Sequence, residues 1–261
     1  MRAVLVLVLA SGCGRYGFHP FGDDEPIDGP AQDTAPADVA PDSAFQDLVN
    51  DPHLVGYWKM DDAMYLDSSA SGNAASGCYQ ACPMLGTGIR GMAADFHNDG
   101  GLEVGTVAPL SSLSTNLTVA AWVNLRSLTD YGAIVSTDRD CCLTQNGFSL
   151  WASRYQMYPH FDMWNQGQFF CGGTNPPPLN TWIFYAATYD NQEGRFYIDG
   201  AEYDNIFVTN AIGTPHSFPL RIGHMGFDYI GGLDGLVDEV MIFDRALTAV
   251  EIQTIYTELK P

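Results

Sequence analysis

The sequence predicts an all-β protein in which short strands, joined by turns, pack as a sandwich. Only 16% of the 261 residues are charged, whereas 12% are aromatic, and Gly and Pro number 27 and 15. This composition is typical of short strands and turns rather than of long amphipathic helices. Short apolar runs broken by Gly, Asn and Asp recur from Leu54 to Phe243. No long segment shows the 3.6-residue period that the crossover helices of a βαβ fold need.

Eight apolar runs are the strand candidates. They cover residues 54–60, 92–96, 117–123, 133–136, 148–152, 181–189, 195–198 and 236–243. Turn residues separate them, as expected for antiparallel strands. One helix is predicted at the C-terminal end, where Thr248 and Glu251 have the spacing of a capping box that opens Ala249 to Leu259.

Several stretches carry a family resemblance. In order, "YWKMDD", "GIRGMAADF", "LTVAAWVNL", "TWIFYAATYDNQEGRFYIDG" and "LRIG…GGLDGLVDEVMIFDRALTAVEIQTIY" resemble the laminin G-like domains of the concanavalin A-like lectin/glucanase superfamily over residues 54–258. The most specific parts are Tyr189-Asp190, Tyr197 to Gly200, and Asp238-Glu239 followed by Arg245 to Leu247. The resemblance implies a jelly-roll sandwich of two antiparallel sheets, with the first and last strands meeting in the middle of one sheet.

The first twelve residues have the pattern of an export signal. Arg2 precedes eight apolar residues, Ala3 to Ala10, which are too few to span a bilayer. The run "LASGC" resembles the lipobox of bacterial lipoproteins, which implies that Cys13 is lipidated and becomes the mature N-terminus. Gly14, in place of Asp, implies the outer membrane of a Gram-negative bacterium. Membrane attachment is then expected through the N-terminal lipid alone; the alternative is an ordinary cleaved signal with an unmodified Cys13.

Residues 13–49 are predicted to form an acidic, disordered tether, followed by one sandwich domain over residues 50–261. The stretch from Pro20 to Val49 is rich in Pro, Ala and Asp and has eight acidic residues and no basic one. Low hydrophobicity with unopposed charge favours an extended chain. The alternative is an interaction tail for a basic partner.

The charge balance excludes a nucleic-acid binder. The domain holds 23 acidic and 9 basic residues, a net charge of −14, and the whole chain has two lysines, Lys59 and Lys260. A nucleic-acid partner requires a basic footprint on the protein.

Five cysteines remain besides Cys13, and export permits disulfides among them. Cys78 and Cys82 are spaced to close a small loop, and either Cys141 or Cys142 is predicted to pair with Cys171, which leaves one thiol. A zinc site is the alternative, but paired Cys-x-x-Cys motifs are absent.

A structural calcium ion is the one cofactor that the sequence suggests. Strand alternation places Asp238 on the same face as Leu236, Val240 and Ile242, where a carboxylate needs a partner. Three further candidate ligands follow the first strand: Asp61, Asp62 and Asp67. Calcium prefers such oxygen-rich loops, and related domains bind it. The alternative is that Asp238 accepts backbone N–H bonds and Asp67 caps a turn.

The candidate ligand surface lies between residues 156 and 164. Alternation places five residues on one face: Gln156, Tyr158, His160, Asp162 and Trp164. Tyr155, Met157, Phe161 and Met163 take the other face. Polar groups interleaved with aromatic rings are typical of a sugar-binding surface. The alternative is that these are ordinary edge-strand residues.

No catalytic constellation is found. Glycosidases need two carboxylates facing one another, and strand alternation would put Asp238 and Glu239 on opposite faces. We therefore expect a non-catalytic surface lipoprotein whose laminin G-like module binds a glycan or an extracellular protein. The alternatives are a glycan-degrading enzyme of the same superfamily and a structural or protein-interaction domain.

Overall fold

Two antiparallel sheets pack face to face in the computed structural model, which describes residues 41–105, 110, 113–137, 146–154, 158–165, 168–213, 219–225 and 232–261. The elements are α1 Pro41–Val49, β1 Leu54–Trp58, β2 Gly77–Gln80, β3 Met84–Thr87, β4 Met92–His97, β5 Gly100–Gly105, β6 Leu117–Leu125, β7 Tyr131–Ser136, β8 Asn146–Arg154, β9 His160–Asn165, β10 Gln168–Gly172, β11 Trp182–Tyr189, β12 Glu193–Ile198, β13 Ala201–Phe207, β14 Leu220–Ile222, β15 Asp234–Phe243 and α2 Ala249–Leu259.

The sheet order is that of a jelly roll. The eight-stranded sheet runs β13-β12-β11-β6-β15-β4-β3, and β1 pairs with the second half of β15, beyond the part that pairs with β4. The seven-stranded sheet runs β10-β9-β8-β7-β14-β5-β2. The first and last strands therefore meet inside one sheet, which confirms the fold that the sequence predicts.

The main core lies between the sheets. Most strands contribute apolar side chains to it, and the largest fully buried ones include Trp58, Phe148 and Phe161. The indole Nε1 of Trp58 donates to the carbonyl of Asn73 at 3.0 Å, so this large side chain is buried with its polar atom paired.

A second apolar cluster covers the outer face of the eight-stranded sheet. Ile252, Ile255 and Leu259 of α2 pack there with residues of α1 and of the sheet. The predicted capping box is present, because Thr248 Oγ1 accepts from the Glu251 N–H and Glu251 Oε2 accepts from the Thr248 N–H at 2.7 Å. The predicted C-terminal helix is confirmed.

The tether prediction is wrong over its last residues. Residues 41–49 form α1, and Phe45 and Leu48 are buried against the second cluster. Proline is favoured in the first turn of a helix, and apolar residues three or four apart make a stripe that packing can bury. The prediction relied on the acidic composition of the whole segment and therefore overlooked the apolar stripe of Phe45 and Leu48. Residues 1–40, including the predicted export signal and Cys13, lie outside the described residues.

β15 contains a β-bulge that overturns the predicted orientation of Asp238. Asp238 pairs with Trp122 and Met241 with Ala120, so two residues of β15 oppose one of β6, and Glu239 has a φ of 51°. Val240 still faces the core between the sheets. Asp238 and Glu239 therefore both lie toward the helix-covered face, and the expectation of opposite faces is wrong.

The disulfide predictions have different outcomes. Cys78 and Cys82 form the predicted bridge. Cys171 is a free thiol in the core, so its predicted bridge is wrong. β10 turns this side chain inward between the sheets, and burial raises the pKa of the thiol. Cys141 and Cys142 lie outside the described residues. Within the described part of the chain, no helix is long and apolar enough to cross a membrane.

Candidate functional site

Five polar residues form a row across the outer face of the seven-stranded sheet. The polar row consists of Glu103, Arg221, Ser136, Ser149 and Asp162, on β5, β14, β7, β8 and β9, each opposite the next in strand register. Residues directly opposite each other in a sheet share a face. Four inter-strand steps of about 4.8 Å give the row a length of about 19 Å.

The row faces away from the core. On each of the five strands, a neighbour of the polar residue belongs to the cluster between the sheets: Leu102, Ile222, Val135, Leu150 and Phe161. Because successive side chains of a strand point to opposite faces, the polar residues lie on the outside of the sandwich.

The polar residues contact one another along the row. Arg221 Nε and Nη2 donate to Glu103 Oε2 at 3.2 and 2.9 Å. The Oγ atoms of Ser136 and Ser149 are 2.7 Å apart. Asp162 Oδ2 accepts from the side-chain amide of Gln168 at 3.0 Å. These bonds hold a pattern of donors and acceptors in place.

Aromatic rings flank the Asp162 end of the row. The His160 ring stacks on Trp151, with centroids 5.9 Å apart and planes 7° apart, and meets Phe170 edge-on at 6.3 Å. Phe170 lies opposite Asp162 on β10 and is 45% exposed. Trp164 follows two residues after Asp162 on the same strand. Among these rings Phe170 is the exposed one, whereas Trp151, His160 and Trp164 are buried beside Asp162.

At the other end, a second aromatic group supports Arg221. Its guanidinium stands 4.4 Å from the ring centroid of Tyr79, and that ring lies 4.9 Å from the ring of His224. This stacking on Tyr79 holds the planar guanidinium of Arg221 in one orientation.

The contact between His160 and the Tyr158 carbonyl shows which ring nitrogen of His160 carries a hydrogen. His160 Nδ1 lies 2.7 Å from the carbonyl oxygen of Tyr158, which can only accept, so Nδ1 carries a hydrogen. Nε2 lies 3.3 Å from Asp162 Oδ1. His160 and Asp162 are almost completely buried, so both side chains lie beneath the solvent-accessible surface of this face.

Arg221 and Trp164 each have a buried donor on this face that is unpaired among the described residues. Arg221 Nη1 and Trp164 Nε1 have no hydrogen-bond partner, and the two residues are 6% and 7% exposed. A buried donor without an acceptor costs about 1–3 kcal/mol.

The structure places the predicted ligand residues as follows. His160, Asp162 and Trp164 share the outer face, and Phe161 and Met163 point into the core, as alternation predicts. Tyr158 is half-buried just before β9, and Gln156 lies outside the described residues. β9 lies between β8 and β10, so these are not edge-strand residues.

Sequence reasoning missed the rest of the row. Alternation within the run 148–152 could have placed Ser149 and Trp151 on this face. Glu103 and Arg221 carry no such signal, because their position beside Ser136 depends on the pairing of strands that are far apart in sequence.

The four aspartates predicted to bind calcium do not come together as a ligand set. Asp67 caps a turn, with its two oxygens accepting from the N–H groups of Tyr57, at 2.8 Å, and Asn73, at 2.6 Å. Asp61 accepts from the N–H of Met92 at the start of β4, and Asp62 accepts from the Met64 N–H within a turn.

Asp238 is also engaged by backbone donors. Its Oδ2 accepts from the N–H groups of Ile89, at 2.9 Å, and Arg90, at 3.3 Å, and its Oδ1 accepts from Glu239 N–H. Over the described ranges, no three His, Cys, Asp or Glu side chains are grouped to hold a metal. Calcium binding stays a prediction, and a melting temperature that falls on chelation would support it.

Asp238 and Glu239 form a buried carboxylate pair. Tyr57 donates its hydroxyl to Glu239. Burial is the main cause that raises the pKa of Asp238 to about 8, and it also raises the pKa of Glu239. A Cβ atom at Gly88 would lie 2.4 Å from Asp238 Oδ2, so the turn needs glycine to approach the carboxylate. Asp238 therefore bonds this turn to β15, and Glu239 bonds Tyr57 of β1 to the same strand.

The order and packing of the two antiparallel sheets define a jelly-roll sandwich of the concanavalin A-like type. The laminin G-type family model described as the concanavalin A-like lectin/glucanases superfamily matches residues 96–253, more than half of the chain. The chain belongs to this superfamily. No curated protein sequence matches the chain significantly.

Solved structures share the fold. Domain 4 of AbnA, a GH43 extracellular arabinanase from Geobacillus stearothermophilus, was solved with arabinotriose; it is 19% identical with a TM-score of 0.65, over 80% of this chain and 98% of that one. The binding domain of botulinum neurotoxin DC, solved with SialylT, is 15% identical with a TM-score of 0.60, over 81% of this chain and 52% of that one. The chain thus spans about half of the toxin domain. These identities establish the fold alone.

Proposed function

We propose that this protein binds glycans through the outer face of the seven-stranded sheet and does so without catalysis. The observation that carries the proposal is the polar row, flanked by Trp151, His160, Trp164 and Phe170. Sugar rings have apolar faces that stack on aromatic side chains and hydroxyls that need fixed donors and acceptors. This face contains both kinds of group, and Phe170 and Glu103 are the ones that solvent reaches.

The structural relatives make oligosaccharides a reasonable first set of probes. The arabinanase domain was solved with arabinotriose, and botulinum neurotoxin type C is described as entering cells by interaction with two ganglioside molecules. The choice of ligand for this chain rests on its own side chains, since the sequence identities are 19% and 15%.

We propose that catalysis is absent because the adjacent carboxylates Asp238 and Glu239 already accept hydrogen bonds within the fold. Asp238 and Glu239 are buried toward the helix-covered face of the other sheet, where backbone N–H groups and Tyr57 occupy them. The polar row offers Glu103 and Asp162, which stand four strands apart in register. That separation is far larger than the roughly 5–10 Å between the two carboxyl groups of a glycosidase.

Binding is tested with two exposed phenylalanines, one on the proposed face and one away from it. Phe170→Ala is expected to weaken binding to a glycan identified on an array about 5- to 10-fold, because an aromatic contact contributes about 0.5–1.5 kcal/mol. Phe207 is 78% exposed on β13 of the other sheet, so Phe207→Ala is the matched control. Isothermal titration with the full chain measures both. Equal losses, or no loss at Phe170, would contradict the assignment of the face.

We also propose that the protein is exported and lipid-anchored through Cys13, in the outer membrane of a Gram-negative bacterium. The support is the signal pattern of residues 1–12 and the run "LASGC". Cys13→Ala is expected to move the protein from the membrane fraction to the soluble fraction while leaving its melting temperature unchanged. Cys171→Ala is the control cysteine variant, which keeps the lipid site. Membrane-bound Cys13→Ala protein would contradict the anchor.

A further inference from the structure

We propose that the free edge of β3 and the groove beside it bind an extended segment of a partner protein. The segment is apolar at alternate positions and carries a net positive charge. It adds a strand to the eight-stranded sheet and places apolar side chains in the groove, named here the edge groove. This site is separate from the outer face of the seven-stranded sheet, so it goes beyond the proposed glycan binding.

β3 is an edge strand with backbone groups that β4 leaves unpaired. Gly88 N–H donates to the Gly91 carbonyl at 3.1 Å, and bonded and non-bonded residue pairs alternate along an antiparallel pair of strands. This alternation turns the N–H and C=O groups of Leu85 and Thr87 away from β4. Met92, which lies opposite Thr87, accordingly donates its N–H away from β3. An incoming strand can pair with these free groups.

The sequence of β3 does not protect this edge. Natural edge strands are commonly protected by charged side chains or by proline. β3 has the sequence MLGT, and its Met84 and Leu85 are 60% and 38% exposed. β13, at the opposite edge of the same sheet, contains Glu202 and Asp204. The uncharged edge is therefore the one suited to strand addition.

The edge groove has a volume of about 630 Å³ and opens beside β3, where both sheets end. Residues of both sheets line it, among them Leu85 of β3, Cys78 of β2 and Leu102 of β5, and none of its lining side chains is charged. Leu102 and Tyr65 belong to the core between the sheets. An apolar side chain that enters the groove therefore contacts the core.

The groove is formed before any partner binds. The disulfide joins Cys78 of β2 to Cys82, which lies just before β3, and the Tyr65 hydroxyl donates to the Pro83 carbonyl at 2.9 Å. A preformed site loses less conformational entropy on binding. Met64 also lines the groove and is 71% exposed, and flexible methionine side chains adapt to different apolar partners.

The charge around the groove favours a basic segment. The loop between β1 and β2 carries Lys59 and three aspartates, Asp61, Asp62 and Asp67, in a domain with a net charge of −14. Burial, followed by the charge of Asp62, raises the pKa of the Tyr65 hydroxyl, so Asp62 acts at the groove itself. A cationic segment is attracted by this field, whereas a second copy of the acidic chain is repelled.

Selection of peptides on the full chain tests the site. The probe is a display library of nine-residue peptides of random sequence, and enriched peptides are synthesised and titrated by fluorescence anisotropy. We expect enriched sequences to carry apolar residues at every second position and a net positive charge. Their affinity should fall at least fivefold between about 50 mM and about 500 mM salt, because salt screens the attraction.

A pair of proline variants tests strand addition. Thr87→Pro removes an N–H that faces the free edge and leaves the bonds between β3 and β4 in place, so it should weaken peptide binding at least tenfold. Phe207→Pro is the control on β13. Val208 N–H donates to the Gln192 carbonyl, so alternation turns the N–H of Phe207 to the opposite free edge. This variant should bind the peptides as the wild type does.

A pair of lysine variants tests the groove without changing the backbone. Met64→Lys places a positive charge at the groove and should weaken binding of a basic peptide at least fivefold. Phe207→Lys introduces the same charge at a side chain that is 78% exposed on the other edge, and it should have less than a twofold effect. Melting curves show whether each variant is folded.

Three results would overturn the inference. The first is that no peptide is enriched over the unselected library, or that the enriched peptides are acidic. The second is that the enriched peptides bind Thr87→Pro and Met64→Lys as tightly as the wild type. The third is a dimer of the full chain that dissociates on Thr87→Pro, which would assign the edge to a second copy. None of these results bears on the glycan affinity, which the Phe170 variant tests separately.

Discussion

Replacing Asp238 with alanine is expected to lower the free energy of unfolding by about 2–4 kcal/mol. The carboxylate accepts three backbone N–H bonds, from Ile89, Arg90 and Glu239, and is itself fully buried. Each donor that loses a buried acceptor costs about 1–3 kcal/mol, less where water reaches the turn. Chemical denaturation measures the loss.

Asp190→Ala is the control for this effect. Asp190 also accepts two backbone N–H bonds, from Gln192 and Glu193, but in a turn near the surface. Its replacement is expected to cost about 1 kcal/mol, because water can replace the lost acceptor. Equal effects of the two substitutions would show that burial of Asp238 contributes nothing.

The same carboxylate should make stability depend on pH. Burial, followed by the nearby charge of Glu239, raises the pKa of Asp238 from 3.8 to about 8. The folded state therefore holds the proton more tightly than the unfolded state. The resulting stability is fully present below about pH 4 and is lost as the pH rises through about 8. The melting temperature of the wild type should fall across this window.

Asp238→Asn isolates this contribution. The amide keeps the size of the side chain and does not titrate, so its melting temperature should fall less steeply between pH 5 and 9 than that of the wild type. The other titratable groups of this chain, whose net charge is −20, are the same in both proteins. Their mutual repulsion therefore changes the melting temperature of the wild type and of the variant alike. Parallel curves would contradict the raised pKa.

Replacing Asp162 with asparagine is expected to weaken glycan binding about 10- to 100-fold. Asp162 is the acceptor at the aromatic end of the polar row and orients Gln168. Hydrogen bonds to a charged group contribute about 1.5–3 kcal/mol, so the loss of the charge has a larger effect than the loss of a neutral contact. Titration of the same oligosaccharide with both proteins gives the ratio.

Asp190→Asn serves as the control for this substitution as well. It removes a carboxylate charge in a turn after β11, in the other sheet, and should leave the affinity unchanged. If both variants bind equally well, Asp162 takes no part in recognition.

The sequence predicted nine of the fifteen described strands and the last helix because local patterns determine them. The eight apolar runs correspond to β1, β4, β6, β7, β8, β11, β12 and β15, and the alternating segment 156–164 covers β9, whereas β2, β3, β5, β10, β13 and β14 were not predicted. Alternation in β9 correctly separated His160 and Asp162 from Phe161, and the spacing of Thr248 and Glu251 correctly marked the start of α2. Both signals are contained within a few residues. The family resemblance added the arrangement of the sheets, which periodicity alone does not determine.

The sequence analysis was wrong or incomplete where the local structure depends on contacts between distant parts of the chain. The bulge at Glu239 depends on how β15 pairs with β6, and simple alternation cannot anticipate it. α1 depends on an apolar stripe being buried by α2 and the sheet. The polar row, likewise, exists only because strand register brings Arg221 between Glu103 and Ser136.

Hydrogen exchange of the full chain, with and without a bound oligosaccharide, tests the central claim most directly. The account predicts that the ligand slows exchange in β7, β8, β9 and β14, the strands beneath the polar row, and leaves β11, β12 and β13 of the other sheet unchanged. Protection confined to the eight-stranded sheet or its helices would contradict the claim that the outer face of the seven-stranded sheet binds the glycan.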